Sequence, residues 1–572
     1  TKVGFAGGFL KKEKAEDNVS AEKSREFGNA YDLRNRSTRR RIKAGEKATF
    51  ILAVRSWAKC SRPYEYAFSR ARWITAEDVE NLRVRHLAWW KRFWSMSEIS
   101  LDDPVIEQRY YLSKYMLASL SRDPDYPPNI LGISTFDRPA WNGNYKINYN
   151  HQSPYLNLMV SGHFEQSDPH DAPYLKLMEI SDEMCKRLLH HEGLYYPLGL
   201  GPDGMVSEAL LLQMKSPALH GALNMIYRYE ISQDTKYAWK VYPYLRGVAD
   251  FWEKDLVLRD GIYHVVGDGM HERTDGNIRE NGVPEDPVNT LGYLKTFFTW
   301  LPKISEALEL DEEKRVKWQK IAQNLAPYPK GTIREIQDNP TLWKEADVKL
   351  EDLGSDPKEL EVARNTVHIH SLVENKLGEL EYKKALERAA DGKKETAAKH
   401  AHFYKAGAFN ASNLSCLFFT AAVRTGYDPD IIWKEMKDMI TYRGIPNGFL
   451  KENPHGIEQL NTIPDAIQEM MLQSYEGVIR IFPVWPRKKH PNASFRNFRA
   501  WGGFEVSASL KDGKIEQVTV LSHKGNTCRV ENPWPEKSVI VKYGYSGREE
   551  VCFGEYLSIE LQKEEQVLLS GL

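Results

Sequence analysis

Three acids crowd one glycine-rich loop, and acids in such a loop could perform proton transfer. The loop is Val266-Gly-Asp-Gly-Met-His-Glu-Arg-Thr-Asp-Gly276, and its acids are Asp268, Glu272 and Asp275. A carboxyl group acts as a general acid or base when its surroundings hold its pKa near the working pH. An exposed loop acid is usually only solvated. The residue types therefore allow acid or base catalysis here without requiring it.

A second polar segment lies earlier in the chain, over residues 127–137 and 141–155. Within it, Asn148 and Asn150 stand two residues apart. In an extended stretch both amides project to the same side, where they could hold one water molecule or one sugar hydroxyl. Ordinary capping of a loop by asparagine is the alternative, and for an isolated pair it is the more frequent use.

The composition is that of a folded protein without a global charge bias. The 572 residues include 41% hydrophobic and 27% charged side chains, which excludes a disordered or fibrous chain and predicts one large architecture or two to four domains. Lys and Arg total 78 against 79 for Asp and Glu, so we expect neither nucleic acid nor an anionic membrane as a partner. No apolar run has the length of a membrane span.

Metal-ligand patterns are weak along the sequence. His368 and His370 would lie on one face of a strand and could form a metal pair, but no third ligand stands at a usual spacing. The five cysteines are scattered, which predicts buried thiols and neither a disulfide framework nor a zinc site. We therefore predict no metal and no cofactor, with the histidines as hydrogen-bonding or substrate-contacting residues.

Aromatic residues are somewhat abundant, at 11% of the chain, and several cluster, as in Trp89-Trp90, Phe93-Trp94 and Trp141. Sugar-binding clefts use such rings, because the apolar face of a pyranose packs on a flat side chain. Large helical cores also collect aromatic residues. No single ring therefore decides between the two.

The N-terminal part of the chain is predicted to be β-rich and then helical. Residues 1–74 are interpreted as the C-terminal part of a β-domain, with an apolar strand over 48–55. Residues 75–103 are predicted to be a helical linker. It opens with Thr75 and Asp78 in a pattern related to a capping box.

Residues 104–485 repeat one theme, a helical stretch followed by a loop rich in Gly, Pro or Asn. Three apolar stripes have helical spacing: Ile106, Tyr110, Ser113, Leu117 and Leu120; Leu245, Val248 and Trp252; and Leu294, Phe298, Leu301, Ile304 and Leu308. These stripes predict an all-α toroid or barrel of helical hairpins whose loops gather polar residues at one mouth. From residue 486 to 572 the period changes to two, which predicts a C-terminal β-sandwich.

Several motifs occur in a fixed order. Pro127-Pro-Asn-Ile-Leu-Gly132 precedes Trp141-Asn-Gly-Asn-Tyr-Lys-Ile-Asn-Tyr-Asn-His-Gln-Ser-Pro-Tyr155, and a later block contains Glu469-Met-Met-Leu-Gln-Ser474, Ile481-Phe-Pro-Val-Trp-Pro486 and Trp501-Gly-Gly-Phe-Glu-Val506. From about residue 86 onward, this order resembles the catalytic part of glycoside hydrolase family 95. The known members of that family are inverting α-L-fucosidases and α-L-galactosidases.

The resemblance implies a mainly α fold, an (α/α)6 helical barrel flanked by β-domains. Matched by position, Glu272 is the implied general acid, and Asn148 and Asn150 are the implied amides that hold the attacking water. Glu458 stands where the family has an Asp that supports this water. We expect a raised pKa for Glu272 and an ionised carboxylate at Glu458.

Further residues are predicted from the same motifs. Asp268 and Glu285 are reserve candidates for the acid. The residues predicted to contact substrate are Asn129, Trp141, His151, Gln152, Tyr155, His271, Arg273, His368 and His370.

The chain also departs from the family pattern. The family's fucosidases carry a Trp and a pair of His in the segment aligning with Gly193–Gly199, and this chain has neither there; a Gly-Trp-Ser loop expected before Asn413 is also missing. A related sugar in place of fucose is therefore open.

We expect an exo-acting, inverting α-glycoside hydrolase that releases a terminal L-sugar, such as L-fucose or L-galactose, from an oligosaccharide or polysaccharide. The alternatives are a glycoside phosphorylase of the same helical-barrel clan and a carbohydrate-binding protein without catalysis. The resemblance implies an extracytoplasmic location for a bacterial protein. The sequence is compatible with a homo-oligomer.

Overall fold

The structure is a computed structural model that describes most of the chain. The described residues are 3–9, 16–24, 31–39, 41–56, 59–132, 140–202, 204, 214–268, 285–327, 330–331, 343–344, 415–424, 428–451, 453 and 456–572. They fall into two compact units, Thr1–Trp94 and Ser95–Leu572.

The first unit contains paired strands followed by helices. Its elements are β1 (Val3–Phe9), β2 (Glu16–Ser24), β3 (Tyr31–Arg39), β4 (Phe50–Ser56), α1 (Pro63–Trp73) and α2 (Ala76–Ser95), the last of which reaches one residue past the unit. β1 pairs with β4 and β2 with β3, both antiparallel. Ala67 and Ala71 of α1 pack against Ile51 and Ala53 of β4. The strand predicted over 48–55 is confirmed as β4.

The predicted capping box is present at the start of α2. The amide of Asp78 donates to Thr75 Oγ1 at 3.1 Å, and the amide of Thr75 donates to Asp78 Oδ2 at 2.9 Å. These reciprocal bonds satisfy two amides that a helix start leaves without partners.

The aromatic cluster of α2 is explained by contacts along that helix. Trp89 stacks on Phe93 with ring centroids 5.3 Å apart, and Trp90 stacks on Trp94 at 5.5 Å. Residues four apart lie on the same helix face. The clustering is thus a consequence of helical spacing.

The second unit is mainly helical, with short strand pairs between the helices. Its first strand is β5 (Glu98–Leu101), so the segment 75–103, predicted to be helical throughout, contains a strand after α2 ends. The helices are α3 (Pro104–Leu120), α4 (Leu156–Val160), α5 (Phe164–Lys176), α6 (Met178–Leu189), α7 (Pro217–Ser232), α8 (Thr235–Asp255), α9 (Val288–Ala307), α10 (Glu312–Gln323), α11 (Ser415–Arg424), α12 (Pro429–Asp438) and α13 (Gln459–Met471).

The intervening strands pair locally. They are β6 (Tyr145–Lys146) with β7 (Gly199–Leu200), β8 (Val257–Arg259) with β9 (Ile262–His264), β10 (Lys330–Gly331) with β11 (Trp343–Lys344), and β12 (Leu472–Gln473) with β13 (Arg480–Ile481). Single turns of 3₁₀ helix occur at Ala140–Gly143, Ser153–Tyr155 and Tyr475–Gly477, and a π-helical turn occurs at Met439–Arg443.

The three predicted stripes lie on helices and face the interior. The stripe of α3 is buried at Ile106, Tyr110, Ser113 and Leu117, while Leu120 is half-buried. The stripes of α8 and α9 are buried at every predicted position. Burial of these side chains from water is the main force that packs the helices.

Two helices organise the packing around the polar loops. α13 packs against α3, α4 and α11, and α7 packs against α4, α5, α8 and α9. The N-terminal ends of α7 and α13 carry polar side chains that meet the loop after β6, as described below. No helix within the described residues combines the length and the apolar character needed to cross a bilayer.

The strands of the predicted C-terminal β-sandwich are present. They are β14 (Ala493–Ala500), β15 (Phe504–Lys511), β16 (Lys514–Ser522), β17 (Cys528–Glu531), β18 (Val539–Tyr543), β19 (Glu549–Cys552), β20 (Tyr556–Ile559) and β21 (Glu565–Gly571). An antiparallel sheet has the order β19-β18-β21-β16-β15-β14-β5, and β17 pairs with β20 separately. Buried and partly exposed residues alternate along β15, as the period of two predicts.

Candidate active site

Polar side chains at the starts of α7 and α13 meet one loop, and a ring of α9 packs on one of them. His220, in the first turn of α7, donates its Nδ1 hydrogen to the carbonyl oxygen of Asn148 at 2.9 Å, and its ring stacks on Tyr293 of α9 at 4.8 Å. The side chain of Asn150 is hydrogen-bonded to Glu458, which immediately precedes α13. The partial positive charge of helix N-termini favours negative charge in this region.

The asparagine loop is a turn and not an extended segment. After β6, residues 147–152 form consecutive turns, with the amide of His151 donating to the carbonyl of Lys146 at 2.9 Å. The expectation that an extended chain places both amides on one side is therefore wrong. Asn148 and Asn150 are both 6% exposed, so the turn holds two amides in the protein interior.

Glu458 is the carboxyl group that the asparagine turn contacts. It is 1% exposed, and its Oε1 accepts a hydrogen bond from Asn453 Nδ2 at 3.2 Å. Among the described residues, its buried Oε2 has no hydrogen-bond partner. A Cβ on Gly456 would overlap Asn453 Nδ2 and lie 2.6 Å from Glu458 Oε1. Glycine at 456 therefore leaves the space that this carboxyl–amide pair needs.

The protonation of Glu458 differs from the expected one. Burial raises its pKa to about 7, although the hydrogen bonds from Asn150 and Asn453 oppose that shift. The carboxyl group is thus partly protonated at neutral pH and not fully ionised, because burial disfavours the charged form. A pKa near the working pH suits a general base.

Gln459 fixes the segment that supplies Asn453. Its Nε2 donates to the carbonyl of Asn453 at 2.6 Å, and its Oε1 accepts from the amide of Leu450 at 2.8 Å. Both bonds are local in sequence but join the start of α13 to the preceding loop. The partner of the Glu458 carboxyl is therefore itself held in position.

Asp268 lies where the acidic loop leaves the core, and its contacts are structural. Its Oδ1 accepts from the amide of Lys215, just before α7, and its Oδ2 accepts from the hydroxyl of Thr290 in α9, each at 2.5 Å. Burial raises its pKa to about 6 against these bonds. Both oxygens of this reserve acid are occupied by the protein.

The implied acid Glu272 lies outside the described residues, as do His271, Arg273, His368 and His370. The described chain stops at Asp268 and resumes at Glu285, where the amide of Asp286 donates to the carbonyl of Val265 at 2.8 Å. The acidic loop therefore begins and ends at one place.

Glu285, the other reserve acid, belongs to a surface cluster. His264, Glu285 and Asp286 have ligand atoms within 4.8 Å of one another, a set that could bind a divalent cation. Glu285 is paired with Arg259, and Asp286 accepts from His264 Nδ1 at 2.7 Å. These contacts account for the cluster without a metal.

Three predicted substrate contacts lie in the core. His151 donates its Nε2 hydrogen to the carbonyl of His170 at 3.0 Å, and Gln152 Nε2 donates to the carbonyl of Ile147 at 2.6 Å. Tyr155 is fully buried. Burial lowers the pKa of His151 to about 3, so its ring is neutral. Among the described residues, the buried Nδ1 of His151, Oε1 of Gln152 and hydroxyl of Tyr155 have no hydrogen-bond partner, so the contact of these residues with a substrate stays a prediction.

Asn129 and Trp141 differ in exposure. The Oδ1 of Asn129 accepts from the amide of Leu131 at 2.8 Å, a local turn of the kind asparagine commonly forms. Trp141 is 55% exposed and has a φ of 49°. Its role as an aromatic surface for sugar stays a prediction.

Sequence reasoning missed several residues of the site: Asn453, Gly456, Gln459, His220 and Tyr293. A glycine two residues before the implied base was a usable signal, because glycine often marks close approach of other groups. His220 and Tyr293 stand on helices with apolar stripes. Only the tertiary contacts distinguish them from core residues.

The chain was compared with known protein families. Residues 58–350 match the glycosyl hydrolase family 95 catalytic domain, and residues 473–567 match the C-terminal domain of the same family. The chain belongs to glycoside hydrolase family 95. This family assignment makes the protein a glycoside hydrolase and agrees with the motif order from Pro127 to Val506.

Comparison with curated proteins gives no match. Among solved structures, a putative kojibiose phosphorylase from human microbiome is similar with a TM-score of 0.51 and 12% identity, over 98% of this chain and 81% of that chain. An α-L-rhamnosidase of Streptomyces avermitilis, complexed with L-rhamnose, has a TM-score of 0.43 and 11% identity, over 83% of this chain and 42% of that chain. The first likeness shows a shared fold at low identity.

Proposed function

We propose that this family 95 protein is an exo-acting, inverting α-glycoside hydrolase that releases a terminal L-sugar from a complex glycan. L-Fucose, L-galactose and related sugars are the candidate glycones. The catalytic helices would form an (α/α)6 barrel. The glycan would be an oligosaccharide or polysaccharide side chain outside the cytoplasm.

In the proposed reaction, Glu458 removes a proton from a water molecule positioned by Asn148 and Asn150. The water oxygen bonds to the anomeric carbon from the face opposite the leaving group. Glu272 donates its proton to the glycosidic oxygen as the bond from that oxygen to the anomeric carbon breaks. In inverting enzymes of this kind, the two carboxyl groups stand roughly 6.5–9.5 Å apart to leave room for the water.

The observation that carries the proposal is the buried carboxyl–amide cluster. Asn150 and Asn453 both hydrogen-bond Glu458, while Oε2 of Glu458 has no partner among the residues described. A carboxyl group that is held on one oxygen and raised in pKa is suited to accept a proton from water. This arrangement supports hydrolysis.

The rival within enzymes is phosphorolysis, in which phosphate replaces water. One structurally similar protein is named a putative phosphorylase, which is why phosphorolysis is the alternative to test. Phosphate carries its own negative charge and needs no protein base, so a phosphorylase would give Glu458 no role. The rival outside enzymes is a binding protein that has lost catalysis.

The test is a panel of aryl α- and β-glycosides of L-fucose, L-galactose, L-rhamnose and D-galactose, assayed with and without inorganic phosphate. We expect phosphate-independent release of the aryl group from an α-L-glycoside. Phosphate-dependent release, with sugar phosphate as the product, would replace hydrolysis by phosphorolysis. No turnover of any member would support the binding protein.

A pair of variants in the acidic loop checks the acid. Glu272→Gln should lower turnover of a substrate with a poor leaving group by about 10²–10⁴, the usual contribution of a general acid. Asp275→Asn, three residues away in the same loop, removes a charge without removing the implied proton donor. Equal rates for the two variants would take Glu272 out of the mechanism.

A further inference from the structure

A chain of contacts joins the root of the acidic loop to the asparagine turn. Asp268 stands at the root, Tyr293 and His220 lie between, and Asn148 is at the far end. The four residues come from two loops and two helices, and each is buried. The root of the acidic loop and the asparagine turn are therefore both held by the starts of α7 and α9.

At the acid side, Asp268 joins the starts of α7 and α9. It accepts the amide hydrogen of Lys215 and the hydroxyl hydrogen of Thr290. Tyr293 follows Thr290 by three residues in α9, so it stands one turn along the helix from the hydroxyl that Asp268 accepts. Any shift of the loop root would thus be felt by the first turns of both helices.

At the water side, His220 holds the main chain of Asn148. A carbonyl oxygen only accepts hydrogen bonds, so Nδ1 of His220 must carry the hydrogen. Its ring lies against Tyr293 with an interplanar angle of 19°. Stacking fixes the plane of the imidazole and hence the direction in which Nδ1 points.

We propose that His220 and Tyr293 are positioning residues that hold the water-binding amides and the root of the acidic loop in one fixed arrangement. The inference rests on the proposed function, because the turn and the loop are assigned to water and acid there. It adds a role for two residues that need not touch the substrate. Misplacement by about 1 Å at such a distance from the chemistry can cost about 10²-fold in rate.

Matched substitutions separate the hydrogen bond from the ring stack. His220→Phe keeps a flat ring against Tyr293 and removes the donor, whereas His220→Asn places an amide nitrogen where Nδ1 stood and removes the ring. Tyr293→Leu removes the stack, and Tyr293→Phe retains it. Trp239→Leu, at a 53% exposed position of α8, is the control.

Each variant is assayed on two glycosides of the sugar that the panel identifies, one with a good and one with a poor leaving group. Loss of water positioning slows both substrates, and loss of the acid slows mainly the poor leaving group. We expect His220→Phe to lower kcat on both substrates about tenfold to 10²-fold with little change in KM. His220→Asn should recover part of this loss.

Tyr293→Leu is the decisive variant, because the proposal requires it to affect both sides. It should slow both substrates and add a further loss on the poor leaving group, while Tyr293→Phe should lose less. Equal rates of His220→Phe and Trp239→Leu would overturn the proposal. So would equal losses for His220→Phe and His220→Asn, which would point to general packing.

Two parallel variants keep this inference separate from the proposed function. If Glu272→Gln and Glu458→Gln retain the unmodified rate, the assigned reaction is wrong. If those two are impaired and the His220 and Tyr293 variants are not, only the positioning role is wrong.

Discussion

Asp268 and Glu458 are buried carboxyl groups that lie against helix starts, and their surroundings differ. Asp268, at the starts of α7 and α9, has both oxygens bonded, one to the Lys215 amide and one to the Thr290 hydroxyl. Glu458, at the start of α13, is bonded to Asn453 through Oε1 and to Asn150. Its Oε2 has no partner among the described residues.

The difference separates structural acids from acids suited to chemistry. Burial raises both pKa values, to about 6 for Asp268 and about 7 for Glu458, so the shift alone does not distinguish them. The hydrogen-bond partners of their oxygens do distinguish the two carboxyl groups. A carboxyl group whose oxygens are all satisfied stabilises the fold, while one with an unoccupied oxygen has capacity for a water molecule or a substrate.

The largest effect is expected for Glu458→Gln. The amide cannot accept the proton of water, so kcat should fall by about 10²–10⁴. The thermal midpoint should not fall, because an uncharged side chain of the same shape replaces a carboxyl group that burial already disfavours. Kinetics and thermal unfolding are measured on one preparation. A variant with normal kcat would place Glu458 with the structural acids.

Gly456→Ala should act on the same carboxyl without changing it. A methyl group there would meet Asn453 Nδ2 and Glu458 Oε1 and displace them, which could cost up to about 10² in kcat. Gly204→Ala is the control, since a Cβ at Gly204 meets nothing within 4 Å. Equal kcat values for Gly456→Ala and Gly204→Ala would contradict a role for the carboxyl–amide cluster in the reaction.

The pH dependence of kcat/KM should report Glu458. The base works only when deprotonated, and its pKa is raised to about 7. The rate should therefore fall about tenfold per pH unit as the pH drops below 7. Asn453→Ala removes a hydrogen bond that lowers this pKa. The acidic limb of the kcat/KM profile should therefore move to higher pH in this variant. A limb near pH 4.5 in both proteins would mean that Glu458 is not the titrating group.

The smallest expected effects are on the free energy of unfolding, at Asp268 and Glu285. Asp268→Ala leaves the buried Lys215 amide without its acceptor, which costs about 1–3 kcal/mol in the free energy of unfolding. Glu285→Ala breaks the partly exposed pairs with Arg259 and His264, and such a pair is typically worth about 0–1 kcal/mol. Denaturant unfolding of the two variants tests this order.

The local structure of this chain could be predicted because it depends on near neighbours. The stripes of α3, α8 and α9 follow from the helical period, and the capping box at Thr75 follows from a spacing of three residues. The alternation along β15 predicted a half-buried strand. Each feature requires only the geometry of one element.

The site could be predicted only in part, because its contacts join distant segments. Asn157 and Asn461, which bond in the core beside it, are 304 residues apart. The motifs pointed to Asn150 and Glu458, but no local pattern shows that Asp268 is saturated or that His220 holds Asn148. The asparagine turn was not predicted, because an extended conformation was expected for residues that form consecutive turns.

The central claim is inversion by water activated at Glu458, and the anomer of the first product tests it most directly. The α-glycoside that is hydrolysed fastest is followed by proton NMR from the first minutes, before mutarotation mixes the sugars. The account predicts that the β-anomer of the free sugar appears first. Initial appearance of the α-anomer would contradict it, since retention requires a covalent intermediate and a nucleophile in place of a base.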